Sequence, residues 1–337
     1  MDTGIRLCKE CGFILGTRPG LKDYDGVCAP CLNAKNKKEI DFAKRQEWLD
    51  EFLATNRTSS KYDCAVAVSG GKDSHAIVKR LYEDHNVKKI LLITLLDEFT
   101  PSKAGLHNRN NISEYFGLDH LAFRFNPRLF REQAKKGFEE KLNPLEWFES
   151  HIYSTPIDIA KKIGINKIFF GENSAYEYGS DTELKFFHPL STDNFSALYM
   201  GAIYPYSIED SLAVARQVGF LDLNSFNDWQ RFPAVEEYSQ IDSLGYIVHI
   251  WCKFPKFGFQ RISDMACRMV RDGALLKEQA QLMIKDFDYI LDKAAKRDFC
   301  DTLGLSEEYF DKIVERHINH DLLVKDLNGQ WKRKDCV

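Results

Sequence analysis

The chain has no long hydrophobic run and almost no excess of charge of one sign. Its most apolar stretches, such as Lys89 to Leu96, fall far short of the roughly 20 residues needed to span a bilayer, so a membrane is not an expected partner. Over 337 residues, 46 basic side chains stand against 50 acidic ones, a formal net charge of −4. A sequence-blind nucleic-acid binder needs a basic surplus, so nucleic acid is not an expected partner either. The first residues, Met1-Asp2-Thr3-Gly4-Ile5-Arg6, lack the basic-then-apolar build of a signal peptide, and a cytoplasmic location is the expectation. With 44% hydrophobic and 28% charged residues, disordered, collagen-like and low-complexity classes are excluded. At about 150 residues per domain, the length allows one large domain or two modest ones.

Cysteine, by contrast, is plentiful. Of nine, four fall in the first 31 residues, as Cys8-Lys9-Glu10-Cys11 and Cys28-Ala29-Pro30-Cys31, two C-x-x-C pairs separated by sixteen residues. Two tight turns that each present two thiolates to one tetrahedral ion have this spacing, which reads as a structural zinc knuckle; an iron–sulfur cluster could use the same thiolates. Gly12 directly after Cys11 lets the turn curl, and Gly16, Pro19, Gly20 and Gly26 fill a loop too small to own a core. With all four positions taken by thiolates, no site is left for a catalytic water. Cys64, Cys252, Cys267, Cys300 and Cys336 are scattered singly, and buried inert thiols are the default reading for them. Apolar spacing predicts a single helix from Asn36 to Asn56, after which Arg57-Thr58-Ser59-Ser60 marks a boundary.

Tyr62 to Val68 reads as a buried strand, and it enters Ser69-Gly70-Gly71-Lys72-Asp73-Ser74 and then a helix from His75 to Asp84. Strand, glycine turn and helix aim backbone N–H groups and the positive helix end at an anion, with Lys72 as a mobile cation and Ser69 and Ser74 as hydroxyl donors. The common P-loop fails on two counts, because Val66 stands where its first glycine is required and Asp73 where its Ser or Thr is required. The string S-G-G-K-D-S after a buried strand instead resembles the pyrophosphate loop of the ATP pyrophosphatase (PP-loop) superfamily. That resemblance implies an adenine nucleotide alpha hydrolase-like fold and attack on the α-phosphorus of ATP: a carbonyl oxygen is adenylated, pyrophosphate leaves, and a nucleophile displaces AMP. An aspartate beside phosphates makes electrostatic sense if Asp73 holds Mg²⁺.

Strands at Lys89–Leu95, His120–Phe125 and Lys167–Phe170 alternate with helices at Lys103–Phe116, Pro127–Leu142 and Thr155–Ile163, the last capped by Thr155 with Pro156 at its first position. The fold class is therefore α/β, a parallel sheet flanked by helices with ligands at the carboxyl ends of its strands, an N-terminal four-cysteine knuckle and a mainly helical C-terminal part. Asp97 and Gly171-Glu172-Asn173 become nucleotide-site candidates by position, Asp97 being equally plausible as a surface cap. The expected division is a knuckle at 1–35, a linker helix at 36–60, a PP-loop domain at 61–180 and a substrate-binding helical region at 181–337.

In that last region the aromatic run from Tyr176 to Tyr206 reads as core or as a substrate wall. Tyr246 to Trp251 looks strand-like, Ser263 is placed to cap a helix from Asp264 to Arg271 that Gly273 ends, and a second helix should run from Leu276 to Lys296. Lys253, Lys256, Arg261, Arg268 and Arg271 form a local basic excess suited to phosphate, or else a solvated face. Trp331-Lys332-Arg333-Lys334 reads as an exposed tail.

Taken in order, the knuckle, S-G-G-K-D-S, Gly171-Glu172-Asn173, Tyr238-Ser239-Gln240-Ile241-Asp242-Ser243, K-F-P-K-F-G-F-Q-R-I-S-D-M-A from Lys253 to Ala266 and V-R-D-G from Val270 to Gly273 together resemble the N-acetyl sugar amidotransferase family of bacterial surface-polysaccharide (LPS/O-antigen) and nonulosonate biosynthesis. One departure is Leu276-Lys277-Glu278, where that family's pattern has Thr-Arg-Glu. The resemblance implies that ATP adenylates the acetamido oxygen of an N-acetylated sugar or nucleotide sugar and that ammonia displaces AMP to leave an acetamidino group. No nucleophilic cysteine elbow is present, so ammonia would come from a separate glutaminase. Lys72, Asp73, Lys256 and Arg261 would be catalytic; Ser69 to Ser74, Asp97 and Gly171 to Asn173 would bind nucleotide. The rival expectation is a tRNA sulfurtransferase, several of which share this loop and carry cysteine knuckles; it would want an activated or cluster-binding cysteine near the loop.

Overall fold

The computed structural model describes residues 4–56, 58 and 60–337. Met1 to Thr3 of the expected leaderless start, and Arg57 and Ser59 of the expected boundary, lie outside the described residues.

The knuckle contributes a small hairpin, β1 (Asp23–Tyr24) and β2 (Val27–Cys28), which runs into α1 (Ala29–Lys37). The expected helix over 36–56 is two helices. Asp41 interrupts it and accepts a hydrogen bond from Lys44 N at 3.2 Å, which starts α2 (Phe42–Thr55) afresh. The sheet then begins with β3 (Cys64–Ala67), followed by α3 (Lys72–Lys79), whose last turn widens into a π-turn over Arg80–Asp84. Next come β4 (Ile90–Leu96), α4 (Lys103–Phe116), β5 (Asp119–Arg124), α5 (Pro127–Lys141), α6 (Glu146–Lys162), β6 (Lys167–Phe170), α7 (Ser174–Glu177), β7 (Ser196–Tyr199) and α8 (Ile208–Gln217). All strand pairs of this five-stranded sheet are parallel, in the order β5-β4-β3-β6-β7. The chain leaves β3 toward one edge and returns through β6 to the other, so the loop after β3 lies at the switch point, where helices diverge and leave a crevice.

Both faces of the sheet are covered, as parallel pairing requires. Val66, Leu92 and Phe169 pack with Leu49, Ile77 and Ile112 on one face. On the other, Ala65, Leu91 and Ile168 pack with Ile157 and Ala160 of α6. Pro156 does not start a helix there. It sits buried within α6, which begins nine residues earlier than expected; burial against the sheet outweighs the one backbone donor that proline removes.

The C-terminal part is helical: α9 (Tyr246–Trp251), α10 (Lys253–Phe257), α11 (Arg261–Arg271), α12 (Lys277–Phe287), α13 (Lys293–Leu303) and α14 (Glu307–Arg316). Tyr246–Trp251 is a helix rather than a strand, because Val248 and Ile250 are buried among Phe99, Phe130, Phe299 and Phe310, and a six-residue apolar run carries no period of its own. That cluster crosses the division expected at residue 180, since α5 and α6 share it with α13 and α14. Gln260, not Ser263, caps α11. The Ser263 hydroxyl donates instead to Asp288 at 2.6 Å, and Asp288 also accepts from Ser263 N, so the end of α12 supplies the anion for the start of α11. The helix expected over 276–296 is likewise two, α13 being restarted by Asp292, which accepts from Ala295 N at 2.7 Å. The expected tail is a hairpin, β8 (Leu323–Lys325) with β9 (Trp331–Arg333), whose Arg333 is buried and paired with Asp335. Among the described residues no helix is long and apolar enough to cross a membrane.

Candidate active site

The glycine loop sits between two cavities. A large one, of about 740 Å³, opens above the carboxyl ends of β3, β4 and β6 and is lined by Ser69, Asp73, Asp97, Arg109, Glu172 and Asp242 among others. A smaller polar one, of about 90 Å³, is lined by Lys72, Asp73, Glu172, Arg261 and Arg268 with Tyr178 and Tyr206. The larger volume is that of a site for a small organic molecule.

The loop is built for a close ligand. Gly70 has φ +98°, and a Cβ there would fall 2.9 Å from Arg109 N and 3.0 Å from its Cα. Only glycine fits, and the contact locks the loop against α4. Ser69 N donates to the Ser74 hydroxyl at 3.1 Å and Gly71 N to the Ser69 hydroxyl at 3.2 Å, which folds the turn upon itself. Among the described residues no side chain caps α3, so its first N–H groups remain available to an anion. Lys72 is buried with its ammonium 2.6 Å from Asp73 Oδ2, which also accepts from the Tyr206 hydroxyl at 3.2 Å. Burial alone would raise the Asp73 carboxyl; Lys72, Arg268 and Tyr206 outweigh it and hold the group below the usual carboxylate range. Asp73 Oδ1 is left buried with no hydrogen-bond partner among the described residues. Glu172 Oε2 across the cavity is in the same condition, with Arg268 at 3.5 Å, and burial raises this carboxyl. Two unfilled carboxylate oxygens lining one polar cavity suit a hard divalent cation with oxygen ligands, so the residues fit Mg²⁺.

Arg261 and Arg268 come from one face of α11, with Met265 between them at i+4, and all three line the small cavity. Arg261 donates to the Ser239 hydroxyl at 2.6 Å; Arg268 reaches Glu177 at 3.3 Å and lies 5.1 Å from the Tyr206 ring. Asp97 is half-buried at the end of β4 and borders the large cavity. It is held by Phe99 N at 2.9 Å and the Ser243 hydroxyl at 2.7 Å, and burial pushes its carboxyl up to about 6. Gly171 lines the large cavity beside Glu172. Asn173 does not line either cavity: its side chain caps α7, accepting from Tyr176 N at 3.3 Å and donating to Lys185 O at 3.3 Å. Lys256 is not brought to the loop either. It donates to Lys141 O at 3.2 Å at the far end of α10, because the left-handed Gly258 turns the chain between it and α11.

The sequence reading gave no role to Arg109 or Asp242. Helix α4 grips both partners from consecutive turns: Gly105 packs against the Asp242 backbone, its Cβ position 2.7 Å from Asp242 Cα, and Arg109 packs against Gly70. In the sequence Tyr206 is one aromatic among many, and Arg268 one cation of five. Their shared cavity was legible, if at all, in the i, i+4, i+7 spacing of Arg261, Met265 and Arg268.

The four N-terminal cysteines converge as their spacing suggests. Their sulfurs all lie within 4.8 Å of one another and are buried, with Cys8–Cys31 at 3.8, Cys11–Cys28 at 3.7 and Cys28–Cys31 at 3.5 Å. Four sulfurs about 2.3 Å from one tetrahedral ion stand about 3.8 Å apart, so the donor set fits a single metal ion. The knuckle shares its core with α11 and α12, Phe13 meeting Phe259 edge-on at 4.9 Å. It also sends Arg18 between Phe13, Phe259 and Tyr178 to pair with Asp264 of α11.

A five-stranded parallel sheet with S-G-G-K-D-S at its switch point is an α/β fold of the kind that the loop's resemblance to the PP-loop superfamily leads one to expect. Residues 226–334 match the family model described as "LPS biosynthesis protein WbpG-like, C-terminal domain". An uncharacterized protein of Methanocaldococcus jannaschii, MJ1599, is 23% identical over 263 residues, covering 77% of this chain and 86% of its own length. Among solved structures, an NH3-dependent NAD synthetase from Campylobacter jejuni aligns over 54% of this chain and 75% of its own, with 17% identity and a TM-score of 0.37. The U34-tRNA thiolase NcsA from Methanococcus maripaludis, with its [4Fe-4S] cluster, aligns over 93% and 89%, with 13% identity and a TM-score of 0.39. These two superpositions are coarse, and the fold assignment rests on the sheet order and the loop.

Proposed function

We propose that this protein is an ATP-dependent, AMP-forming amidotransferase that converts the N-acetyl group of a sugar or nucleotide sugar into an acetamidino group in bacterial surface-polysaccharide or nonulosonate biosynthesis. The observation that carries the reading is the loop's position between a large cavity and a small cationic one, in a chain whose last third matches a family model for lipopolysaccharide-biosynthesis proteins. Adenylation needs that arrangement: a substrate carbonyl approaches the α-phosphorus from the roomy side while pyrophosphate departs toward Lys72, Arg261 and Arg268. In the first half, the acetamido oxygen bonds to the α-phosphorus and the bond to pyrophosphate breaks. In the second, ammonia bonds to the former carbonyl carbon, its C–O bond breaks, and AMP leaves. The loop amides and Lys72 stabilise charge on the leaving phosphates, with Arg261 and Arg268 as fixed donors. Asp73 and Glu172 would hold Mg²⁺, which supplies neutralisation of the phosphate charge. The four-cysteine site would hold zinc in a closed, structural role, and a separate glutaminase in the cytoplasm would supply ammonia.

The thiolation alternative lacks a thiol where it needs one. Among the described residues no cysteine lines either cavity, and burial pushes Cys64 and Cys252 up to about 12. The deciding experiment supplies ATP, Mg²⁺ and ammonium with, in parallel, a panel of N-acetylated sugars and nucleotide sugars and unmodified tRNA with sulfide. The expected result is AMP and pyrophosphate release that depends on an acetamido sugar, with a product in which O is replaced by NH. Release with tRNA alone would overturn the reading in favour of thiolation, and ADP release would overturn the loop assignment.

A further inference from the structure

Asp242 has no task in the reaction as described so far, yet much of the fold is spent on placing it. It belongs to the Tyr238–Ser243 run, which crosses from the small cavity to the large one, and the residue borders both. Its backbone is held from three directions. Gly105 of α4 leaves room for no side chain against it, Ser102 N donates to Asp242 O at 3.1 Å while the Ser102 hydroxyl donates to Ile241 O, and Ser243 bridges to Pro101. Just before it, Gln240 sits at φ +54°, in the left-handed region that favours glycine, and Arg231 fastens that turn by donating to Ser239 O at 2.8 Å and Gln240 O at 3.3 Å. Backbone strain that the surroundings over-determine marks functional positions.

Against this rigid mounting, the carboxylate itself is idle. Among the described residues, Asp242 Oδ1 is sealed from water with no hydrogen-bond partner. Two charged groups bear on it, Asp97 at the end of β4 and Arg109 on α4. Burial, with Asp97 behind it, pushes its carboxyl up to about 7, so it exchanges protons near neutrality.

We propose that Asp242 is the base of the second half-reaction, accepting the proton of an incoming ammonium ion so that neutral ammonia attacks the adenylated carbon. This rests on the amidotransferase reading above. Ammonium is the prevailing form of the nucleophile at neutral pH, and it has no lone pair to attack with. Transfer of one proton to the Asp242 carboxylate frees that pair; the N–C bond forms, the C–O bond to AMP breaks, and protonated Asp242 returns its proton to water through the open cavity. Adenylation, which precedes this step, makes no demand on Asp242.

The test is Asp242→Asn, with Asp242→Ser in its place if the amide variant does not fold. Sugar-dependent ATP–pyrophosphate exchange reads the first half-reaction, and amidine formation from ammonium reads both. Hydroxylamine, a nitrogen nucleophile already unprotonated at neutral pH, bypasses the base. The expected result is exchange within a few-fold of the parent protein, ammonium-dependent product down by about 10²–10⁴-fold, and hydroxylamine-dependent product nearly unchanged. Unchanged ammonium-dependent product, equal loss with both nucleophiles, or loss of exchange in a folded variant would overturn the assignment of Asp242 alone. Absence of sugar-dependent exchange in the parent protein would instead overturn the amidotransferase reading, and the base with it.

Discussion

Two adjacent glycines in the loop should respond very differently to the same added methyl group. At Gly70 a Cβ would lie 2.9 Å from Arg109 N and 3.0 Å from Arg109 Cα, both backbone atoms of a packed helix that cannot yield as a side-chain end would. Its φ of +98° adds strain for any L residue. A forced left-handed residue costs about 1–2 kcal/mol and an overpacked contact about 1–3 kcal/mol, so Gly70→Ala should lose about 2–5 kcal/mol. At Gly71 the backbone has φ −66° and the added Cβ would meet only the Ser69 hydroxyl, at 3.3 Å. Gly71→Ala should therefore stay within about 1 kcal/mol of the parent, because replacing Gly without strain also trims the freedom of the unfolded chain. Thermal or denaturant unfolding of both variants without nucleotide makes the comparison. Each kcal/mol is worth at most about 2–4 °C in a protein this large, so a Gly70→Ala drop of several degrees beside a nearly unmoved Gly71→Ala is expected. Equal stability of the two would refute the claim that α4 locks the loop through Gly70.

Three further outcomes can be checked by simple means. Leu276 occupies the N-cap of α12, 65% exposed, while Gln279 already reaches back to its N–H at 3.0 Å; Leu276→Thr supplies the missing half of a capping box and should raise stability by about 1 kcal/mol in chemical denaturation. Cys8→Ser should abolish bound metal in elemental analysis and lower the melting temperature, and since the knuckle's core is that of α11 and α12, the loss should spread to the Arg18–Asp264 contact. Asp242 has a folded pKa raised to about 7, so the stability it contributes is present at low pH and is lost as pH rises from about 4 through 7; Asp242→Asn cannot ionise and should gain on the parent between pH 5 and 8, a gain that a pH-independent difference would disprove.

The parts of the site that a local pattern encodes were legible in the sequence. The cysteine pairs, the strand and glycine loop, and strand Lys167–Phe170 follow from spacing and composition within a dozen residues. What escaped depends on which distant segments meet. Lys256 and Arg268 look alike as cations in a basic stretch, yet Gly258 turns one toward α5 while one face of α11 delivers the other to the loop. Asn173 follows Glu172 directly, but the start of α7 claims its side chain. Arg109 lies in no motif, and Asp242 lies in the Tyr238–Ser243 run with nothing local to single it out; what joins them is visible only where α4 crosses the loop. Pro156 misled for the opposite reason, because a strong local signal was overridden by burial against the sheet.

That crossing gives α4 a part akin to a gauge block. Gly105 and Arg109 stand four residues apart, one turn of helix and about 6 Å of rise, and each touches a different wall of the candidate site. The gap between the phosphate loop and the Asp242 wall is thereby set in units of helical turns. Inserting or deleting a single residue between the two would swing one contact about 100° around the helix and leave only the other engaged. Substitutions on the exposed side of α4 are free to accumulate, but its length between these two positions is not.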